Sequence, residues 1–202
     1  MRDTLGIILA RKGSKRLPGK NLERLGFDGL NNNLIEIVVT KAKEAMITDI
    51  WLCTDDRALR YTGGVTIISR PEQLSGDNVP SEAVISHILN RHGPDVDRYK
   101  YFCLLQATAP LFKPRRLKQA LTRVHNDNLT GCVSVNPAFE PSGNFYIINI
   151  DLFRHNYESR PEQGLWIPGI HIMKLSWKEC VDIDYIYDLR IAQAVYEGNV
   201  IK

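Results

Sequence analysis

The chain has 202 residues, 44% of them hydrophobic and 24% charged, with a formal net charge of +3 at pH 7. This length supports one domain with a sizeable core, the composition is ordinary for a soluble globular protein, and the small net charge excludes a molecule that binds polyanions over its whole surface. Positive charge is instead concentrated in an acid-free stretch at Arg11, Lys12, Lys15, Arg16 and Lys20, which suits a small polyphosphate better than a nucleic acid.

Strand and helix signals alternate along the chain. Short apolar, β-branched runs predict strands, and apolar residues at helical spacing after a capping residue predict helices. In chain order the predicted elements are a strand at residues 5–9, a helix from Asn33 to about Met46, strands at residues 50–53 and 65–68, a helix capped by Ser81, a strand at residues 101–105, a helix starting at Pro114, strands at residues 132–135 and 145–148, and a helix after Asp184.

This alternation predicts an α/β fold. Parallel strands joined by crossover helices, in an open and mostly parallel sheet covered on both faces, explain the pattern best. No repeat, low-complexity tract or linker divides the chain, so we predict a single domain over residues 1–202. In open α/β sheets ligands bind beyond the carboxyl ends of the strands, so the loops that follow the strands are where a site is expected.

The cysteines and the N-terminal residues indicate the compartment. Cys53, Cys103, Cys132 and Cys180 show neither CxxC pairing nor the spacing of metal ligands, and three of them lie in apolar runs, so buried reduced thiols are expected. The apolar run at residues 5–10 precedes the basic residues, which is the reverse of a signal peptide, and it is too short to span a membrane. We expect a cytoplasmic protein with no membrane partner.

The first loop after a predicted strand is basic and contains glycine. Residues 10–21 read ARKGSKRLPGKN. Glycines allow backbone N–H groups to approach an anion closely, and Arg and Lys neutralise phosphate charge. The Walker A pattern is absent, since Lys20 is followed by Asn21. The loop therefore predicts phosphate binding of another kind, with a merely solvated loop as the alternative.

Residues 7–22, IILARKGSKRLPGKNL, resemble the signature loop of the CMP-sugar synthetases, the acylneuraminate cytidylyltransferase family, which reads AR-x-GSK-x-LP-x-KN after a strand. Three further stretches resemble that family in the same order. They are RPEQL at residues 70–74 with Asp77, Ser81 and His87, LLQATAPL at residues 104–111 (the family has LLQPTSPLR), and VDID at residues 181–184 with Asp188, Leu189 and Ala192. The resemblance covers residues 5–111 and 144–196 and implies a Rossmann-like nucleotide-diphospho-sugar transferase fold.

The resemblance also implies a role for each matching residue. It implies transfer of CMP from CTP to the anomeric hydroxyl of an acidic 2-keto sugar, such as sialic, pseudaminic or legionaminic acid, with release of pyrophosphate. The implied catalytic residues are Arg11, Lys20, Asp182 and Asp184; the nucleotide site adds Ala10, Gly13, Ser14, Asn21, Arg70, the backbone at Val79, and Ser81. Gln106 would face the sugar acceptor, and Asp182 and Asp184 would hold Mg²⁺.

The chemistry of the carboxylates supports a metal, but alternatives stay open for single residues. Carboxylates at i and i+2 of an extended segment, such as Asp182 and Asp184, point to one side and can share a hard cation. Taken alone, Asp184 would more often cap the following helix. Asp55 and Asp56 are interpreted as helix caps rather than metal ligands, and His87 as a structural histidine rather than a base.

Departures from the family pattern concern the acceptor side. Ala107 and Ala109 replace a proline and a serine, Phe112 replaces an arginine, and the family's NG-x-IY strand is SGNFY at residues 142–146, with the order of Asn and Gly altered. The long excursion that joins two subunits in the family shrinks here to residues 136–142. A monomer or weak homodimer is therefore expected, with an acceptor site built within one chain.

Those departures leave open which residues bind the acceptor, which acceptor is used and whether the chain is catalytic. The segment at residues 151–168, with Arg154, Arg160 and Trp166, is the expected source of substitute acceptor contacts. The alternative acceptors are an eight-carbon keto acid or a neutral sugar phosphate, and the DID ending argues against the second. A non-catalytic nucleotide-binding relative is the alternative from another class.

Overall fold

A computed structural model of the chain describes residues 3–25, 32–61 and 63–198, without the side chains of residues 60 and 61. Its strands are β1 Thr4–Ala10, β2 Asp49–Thr54, β3 Thr66–Ser69, β4 Tyr101–Leu105, β5 Gly131–Val135, β6 Pro141–Asn149 and β7 His171–Lys174. Its α-helices are α1 Leu34–Glu44, α2 Ser81–Arg91, α3 Gly93–Val96, α4 Pro114–Asn126, α5 Ile150–Ser159 and α6 Ile186–Tyr196. Short 3₁₀ turns lie at Lys20–Leu22, Arg57–Tyr61, Glu72–Leu74, Pro161–Gln163 and Trp177–Cys180.

The seven strands form one sheet in the order β3-β2-β1-β4-β6-β5-β7. Strand pairs β1–β2, β1–β4, β2–β3 and β5–β7 are parallel, while β6 is antiparallel to both β4 and β5. The predicted mostly parallel α/β sheet is confirmed. The reversed strand follows from the chain connection, because a tight hairpin joins β5 directly to β6 and two strands joined in that way must run in opposite directions.

Helices cover both faces of the sheet, as the sequence predicted. On one face α1 and α4 pack on inward strand residues such as Ile8, Leu52 and Leu105. On the other face α2 and α5 pack on the neighbouring residues Ile7 and Leu104. Alternate residues of each strand therefore enter different cores, which explains why the central strands are continuously apolar.

Most predicted elements are confirmed, and the exceptions have local causes. Asn33 caps α1 by accepting a hydrogen bond from the Glu36 N–H at 2.9 Å, and the Glu36 carboxylate accepts one from the Asn33 N–H. The predicted cap at Ser81 is wrong: Pro80 occupies the cap position and Ser81 is the first helical residue. Helix α5 and strand β7 were not predicted, since the exposed polar residues of α5 obscure its apolar face and β7 has only four residues.

The connection between β5 and β6 is as short as the sequence predicted. Residues 136–140 form a closed turn in which the Asn136 N–H donates to the Glu140 carbonyl at 2.8 Å. The Asn136 side chain accepts from the backbones of Ala138 and Glu140 at 2.8 and 3.0 Å. This turn is self-contained, so it cannot serve as an arm with an apolar face of its own.

Two further expectations concern the cysteines and the membrane. Cys53, Cys103 and Cys132 are buried free thiols and Cys180 is partly buried. Burial raises the pKa of the Cys53 thiol to about 11, so this thiol is protonated and inert at neutral pH. None of the helices in the described ranges is long and apolar enough to cross a bilayer.

Candidate functional site

A cavity of about 520 Å³ opens beyond the carboxyl ends of β1, β3 and β4. Its wall contains five basic residues (Arg11, Lys15, Arg16, Lys20 and Arg70) and two acidic ones (Asp77 and Asp184). Parallel strands bring the loops after their carboxyl ends to one edge of the sheet. The site is therefore basic and lies where the fold class predicted it.

Most of the residues singled out in the sequence meet in this cavity. Those that line it are Arg11, Ser14, Lys20, Asn21, Arg70, Val79, Ser81, Gln106 and Asp184. Ala10, Gly13 and Asp182 are not part of the wall. Ala10 is a buried residue at the end of β1, and Gly13 is exposed. The wall also contains residues to which the sequence assigned no role, namely Leu9, Lys15, Arg16, Asp77, Asn78, Leu104, Leu105, Ala107 and Thr108.

The basic loop is held by its own backbone and by a neighbouring loop. The Asn21 amide donates to the Arg11 carbonyl at 3.0 Å, which links the two ends of the loop. The Lys12 N–H donates to Asp55 Oδ1 at 2.8 Å. Lys12 is exposed and does not line the cavity. Gly19 has φ 74°, a left-handed conformation that glycine adopts without strain.

Asp77 neutralises one pair of cations in the wall. Its carboxylate forms ion pairs with both Arg11 and Lys15. Hydrogen bonds from Lys15 and Arg11 hold the pKa of the Asp77 carboxyl below its usual range. From the sequence Asp77 was assigned only to a motif. No local pattern indicates these ion pairs, since Asp77 is more than sixty positions from either partner.

Asp184 neutralises the second pair of cations. Its carboxylate accepts from Lys20 Nζ at 2.9 Å and pairs with Arg16. Lys20 Nζ also donates to the Ile183 carbonyl at 3.1 Å. The capping alternative for Asp184 is wrong, because Tyr185 is the N-cap of α6. The Asp188 carboxylate, and not that of Asp184, accepts hydrogen bonds from the backbone N–H groups of Asp184 and Tyr185.

Arg70 and Ser81 also line the cavity. Arg70 is 8% exposed and its Nε donates to the Leu74 carbonyl at 2.8 Å. Burial lowers the pKa of the Arg70 guanidinium, with Arg11 adding to the effect. Because Ser81 is the first residue of α2 and not its cap, its hydroxyl is not engaged in capping and is available to a ligand in the cavity.

Gln106 follows β4 and lies against the β6 backbone. A Cβ built on Gly143 would come within 3.0 Å of Gln106 Oε1, and Gly143 has φ +75°. The left-handed conformation therefore favours glycine there, and a Cβ would crowd the end of the Gln106 side chain. The altered order of Asn and Gly in this strand keeps the glycine beside Gln106 and puts Asn144 into the buried interior.

Asp182 is not part of the cavity wall. It is exposed, and the side chain between it and Asp184, Ile183, is fully buried. Burial raises the pKa of the Tyr146 phenol, and the charges of Glu82 and Asp182 raise it further. Asp182 therefore lies close enough to Tyr146 for its charge to act on the phenol.

The carboxylates fit a divalent cation that has few protein ligands. No group of three or more His, Cys, Asp or Glu side chains able to enclose a metal occurs in residues 3–25, 32–61 and 63–198. Asp182 and Asp184 flank buried Ile183 and supply hard oxygen ligands. Mg²⁺ commonly uses one or two carboxylates and completes its shell with water and phosphate oxygens. The residues present fit that arrangement.

Several other side chains that the sequence left as candidates for the site have structural roles instead. Asp56 caps a 3₁₀ turn by accepting from the Ala58 N–H at 2.9 Å, as predicted, whereas Asp55 holds the basic loop. His87 is partly buried on α2 and is not part of the cavity wall. The acceptor role expected of Arg154 is wrong, since its guanidinium pairs with Asp97 at 3.2 Å and lines no part of the cavity.

Comparison with known proteins identifies the family. Residues 5–154 match a family model described as cytidylyltransferase. The pseudaminic acid cytidylyltransferase of Campylobacter jejuni is 37% identical to the chain, over 96% of the chain and 97% of that protein. The chain belongs to the cytidylyltransferase family. The resemblance seen in the sequence is confirmed.

Other proteins similar to this cytidylyltransferase agree with that assignment. The N-acylneuraminate cytidylyltransferase B of Danio rerio is 28% identical over 66% of the chain, which spans only 30% of that longer protein. The structure of CMP:2-keto-3-deoxy-manno-octonic acid synthetase complexed with CTP has a TM-score of 0.67 and 18% identity, covering 98% of this chain and 99% of that one. A Mycobacterium tuberculosis protein in complex with manganese has a TM-score of 0.61 and 14% identity, covering 93% and 96%. At these identities the two structures share the fold with our chain.

Proposed function

We propose that this cytidylyltransferase transfers CMP from CTP to the anomeric hydroxyl of an acidic 2-keto sugar and releases pyrophosphate. The observation that carries the proposal is that the basic loop, Asp184 and Gln106 line one cavity. Attack of a hydroxyl on an α-phosphate builds negative charge, which fixed cations stabilise. The acceptor oxygen bonds to the α-phosphorus, its proton leaves, and the bond to the departing pyrophosphate breaks.

The proposed acceptor is a nine-carbon acidic sugar. The relative that aligns over nearly the full length of both chains is named for pseudaminic acid, and the Danio rerio relative is named for N-acylneuraminate. We rank pseudaminic acid first, ahead of sialic and legionaminic acids. An eight-carbon keto acid is the second candidate, since the synthetase that shares the fold is named for one.

In this proposal different residues of the chain bind different parts of the nucleotide. Arg11 and Lys20 hold the triphosphate, which competes with Asp77 and Asp184 for these cations. Gly13 and Ser14 shape the loop, and Asn21 lies at the ribose and α-phosphate side. The cytosine pocket is made by Arg70, the backbone at Val79, and Ser81, with Ala10 packed beneath the loop.

We further propose that the enzyme uses Mg²⁺, with Asp182 and Asp184 as its protein ligands. The bound ion would neutralise charge that develops on the α-phosphate. The fit of two carboxylates to a hard cation supports this, and so does the manganese in the Mycobacterium tuberculosis protein of the same fold. Lys20, which donates to Asp184, would orient that carboxylate while it also contacts phosphate.

A pyrophosphate-release assay tests the proposed reaction. CTP is incubated with Mg²⁺ and each of pseudaminic acid, N-acetylneuraminic acid, an eight-carbon keto acid and a neutral sugar phosphate. We expect release with CTP and a 2-keto acid, and none with ATP or with the sugar phosphate. Binding of CTP without release for any acceptor would support the non-catalytic alternative, and release with the sugar phosphate would contradict the proposed acceptor class.

We also propose that the protein is a monomer or a weak dimer. A stable dimer interface usually buries ~1,200 Å² or more, which the closed turn at residues 136–140 is too small to supply. Sedimentation at micromolar concentration should therefore give the mass of a single chain or a concentration-dependent mixture. A tight dimer at that concentration would contradict this expectation.

A further inference from the structure

Asn144 lies in β6 behind the cavity, and its side chain is fully buried. Its Nδ2 donates to the carbonyl of Ala109 at 2.9 Å and to the carbonyl of Glu179 at 2.8 Å. The first carbonyl belongs to residues 106–111, which we call the acceptor loop. The second belongs to residues 179–184, which we call the carboxylate segment. One amide nitrogen therefore joins the two parts of the chain that carry Gln106 and Asp184.

Neighbouring contacts connect the same two parts. The Ile183 N–H donates to the Thr108 carbonyl at 2.8 Å. Next to Asn144, Gly143 lies against the Gln106 side chain, so that a Cβ at this position would come within 3.0 Å of Gln106 Oε1. From the opposite side, Lys41 Nζ in α1 donates to the Pro110 carbonyl at 2.6 Å. Three successive carbonyls of the acceptor loop are thus held by three different elements, and Asn144 supplies the only side chain that bonds to both the loop and the carboxylate segment among the described residues.

The chemistry of the contact selects an amide. Both partners of Asn144 are carbonyl oxygens, so the atom between them must be a donor with two hydrogens. A carboxylate of the same shape has no hydrogen to donate and would leave two buried carbonyls without partners. The other end of the amide, Oδ1, is buried with no hydrogen-bond partner among the described residues. The bonding of this side chain is therefore made through Nδ2.

We infer that Asn144 is a positioning residue that fixes Gln106 relative to Asp184, and thereby the acceptor relative to the α-phosphate. The inference rests on the proposed function for the roles of those two residues. Asn144 itself does not line the cavity and acts through the backbones it holds. A misplacement of about 1 Å between reacting groups can lower a rate by on the order of a hundredfold, so a loss at Asn144 should appear in the reaction with the acceptor.

Hydrogen exchange tests the positioning role without any assay of activity. We expect Asn144→Asp to speed exchange of the Ile183 amide, which is bonded to Thr108, by tenfold or more, converted from a local destabilisation of about 1.4 kcal/mol. The matched control is Ser134→Ala. Ser134 is also fully buried. Within the described ranges its hydroxyl bonds only to β6: it donates to the Phe145 carbonyl at 3.0 Å and accepts from the Phe145 N–H at 3.0 Å and from the Ser142 hydroxyl at 2.8 Å. The control should leave Ile183 exchange within about twofold of wild type.

Kinetics separates positioning from a general loss of structure. For Asn144→Asp we expect kcat/KM for the acceptor to fall by on the order of a hundredfold. The Kd for CTP should change much less, because Asn144 makes no hydrogen bond to the basic loop or Arg70 and is connected to Lys20 only through the carboxylate segment. A destabilised fold would weaken both substrates together. If Asn144→Asp does not fold, Asn144→Ser removes the same two hydrogen bonds with a smaller neutral side chain and carries the same test.

The outcomes distinguish this inference from the proposed function. Unchanged Ile183 exchange, or exchange that rises equally in Ser134→Ala, overturns the positioning role even if the wild-type enzyme makes CMP-sugar. Conversely, a wild-type protein that transfers CMP to no keto acid refutes the proposed function. A faster Ile183 exchange in the Asn144 variant alone would still support Asn144 as the link between the two segments.

Discussion

Replacing Asp184 by asparagine is expected to lower turnover by about a hundredfold or more without loss of the fold. The Asp184 carboxylate lines the cavity, accepts from Lys20 at 2.9 Å and pairs with Arg16. Asparagine keeps the shape but removes the negative charge that the proposed Mg²⁺ and both cations require. Losing one charge partner in the transition state typically costs about 3 kcal/mol. The measurement is kcat at saturating CTP, acceptor and Mg²⁺, together with thermal unfolding.

Asp188→Ala provides a matched control in the same segment. Its carboxylate accepts from the backbones of Asp184 and Tyr185 at 3.0 and 2.7 Å and so caps α6. Losing such a cap costs about 1 kcal/mol of stability, so this variant should unfold more easily yet retain most of its turnover. The opposite pattern is expected of Asp184→Asn.

Asp182→Asn should lower turnover similarly or somewhat less than Asp184→Asn. Asp182 is exposed and is not part of the cavity wall, whereas Asp184 lines it, so the smaller effect is expected at Asp182. If both variants kept near-normal turnover at saturating Mg²⁺, the assignment of the metal to these carboxylates would be wrong.

The parts of the fold that the sequence predicted are those set by local pattern. Helix α1 was predicted because Asn33 and Glu36 form a reciprocal cap within four residues, and β1 because its continuous apolar run serves two cores. Ser81 was misread because proline can occupy a cap position through its extended backbone alone, which makes the following serine the first helical residue. The antiparallel direction of β6 was not predicted, because the residues of a strand do not set its direction. The direction depends on the connection that leads into the strand, which here is the short turn after β5.

The candidate site also has residues that the sequence could predict and contacts that it could not. Arg11, Lys20 and Gln106 could be predicted because they match motifs of the resembled family, and the loops after β1 and β4 that carry them meet at one edge of the sheet. The pairing of Asp77 with Arg11, and the engagement of Asn144 with two distant carbonyls, depend on side-chain geometry between segments far apart in sequence. No periodicity or motif encodes those contacts, so only the three-dimensional arrangement reveals them.

Within the basic loop, Arg11→Ala and Lys20→Ala are expected to weaken the use of CTP far more than Lys12→Ala. Arg11 and Lys20 line the cavity, whereas the Lys12 side chain is exposed outside it. A hydrogen bond to a charged group contributes about 1.5–3 kcal/mol, so each of the first two variants should lower kcat/KM for CTP by roughly ten- to a hundredfold. Lys12→Ala removes the same charge from the loop and should change it by about twofold at most.

Arg11→Lys distinguishes a specific contact from simple charge. The planar guanidinium can bond two phosphate oxygens at once, while an ammonium acts as a point charge. We therefore expect lysine at position 11 to restore only a small part of the activity lost in Arg11→Ala, measured as kcat/KM for CTP at fixed ionic strength. Equal losses from all three alanine variants, and a steep dependence on salt, would indicate diffuse electrostatic attraction. In that case the loop would concentrate CTP near the cavity without orienting its phosphates, and the precise placement would have to come from Arg70, Ser81 and the carboxylates.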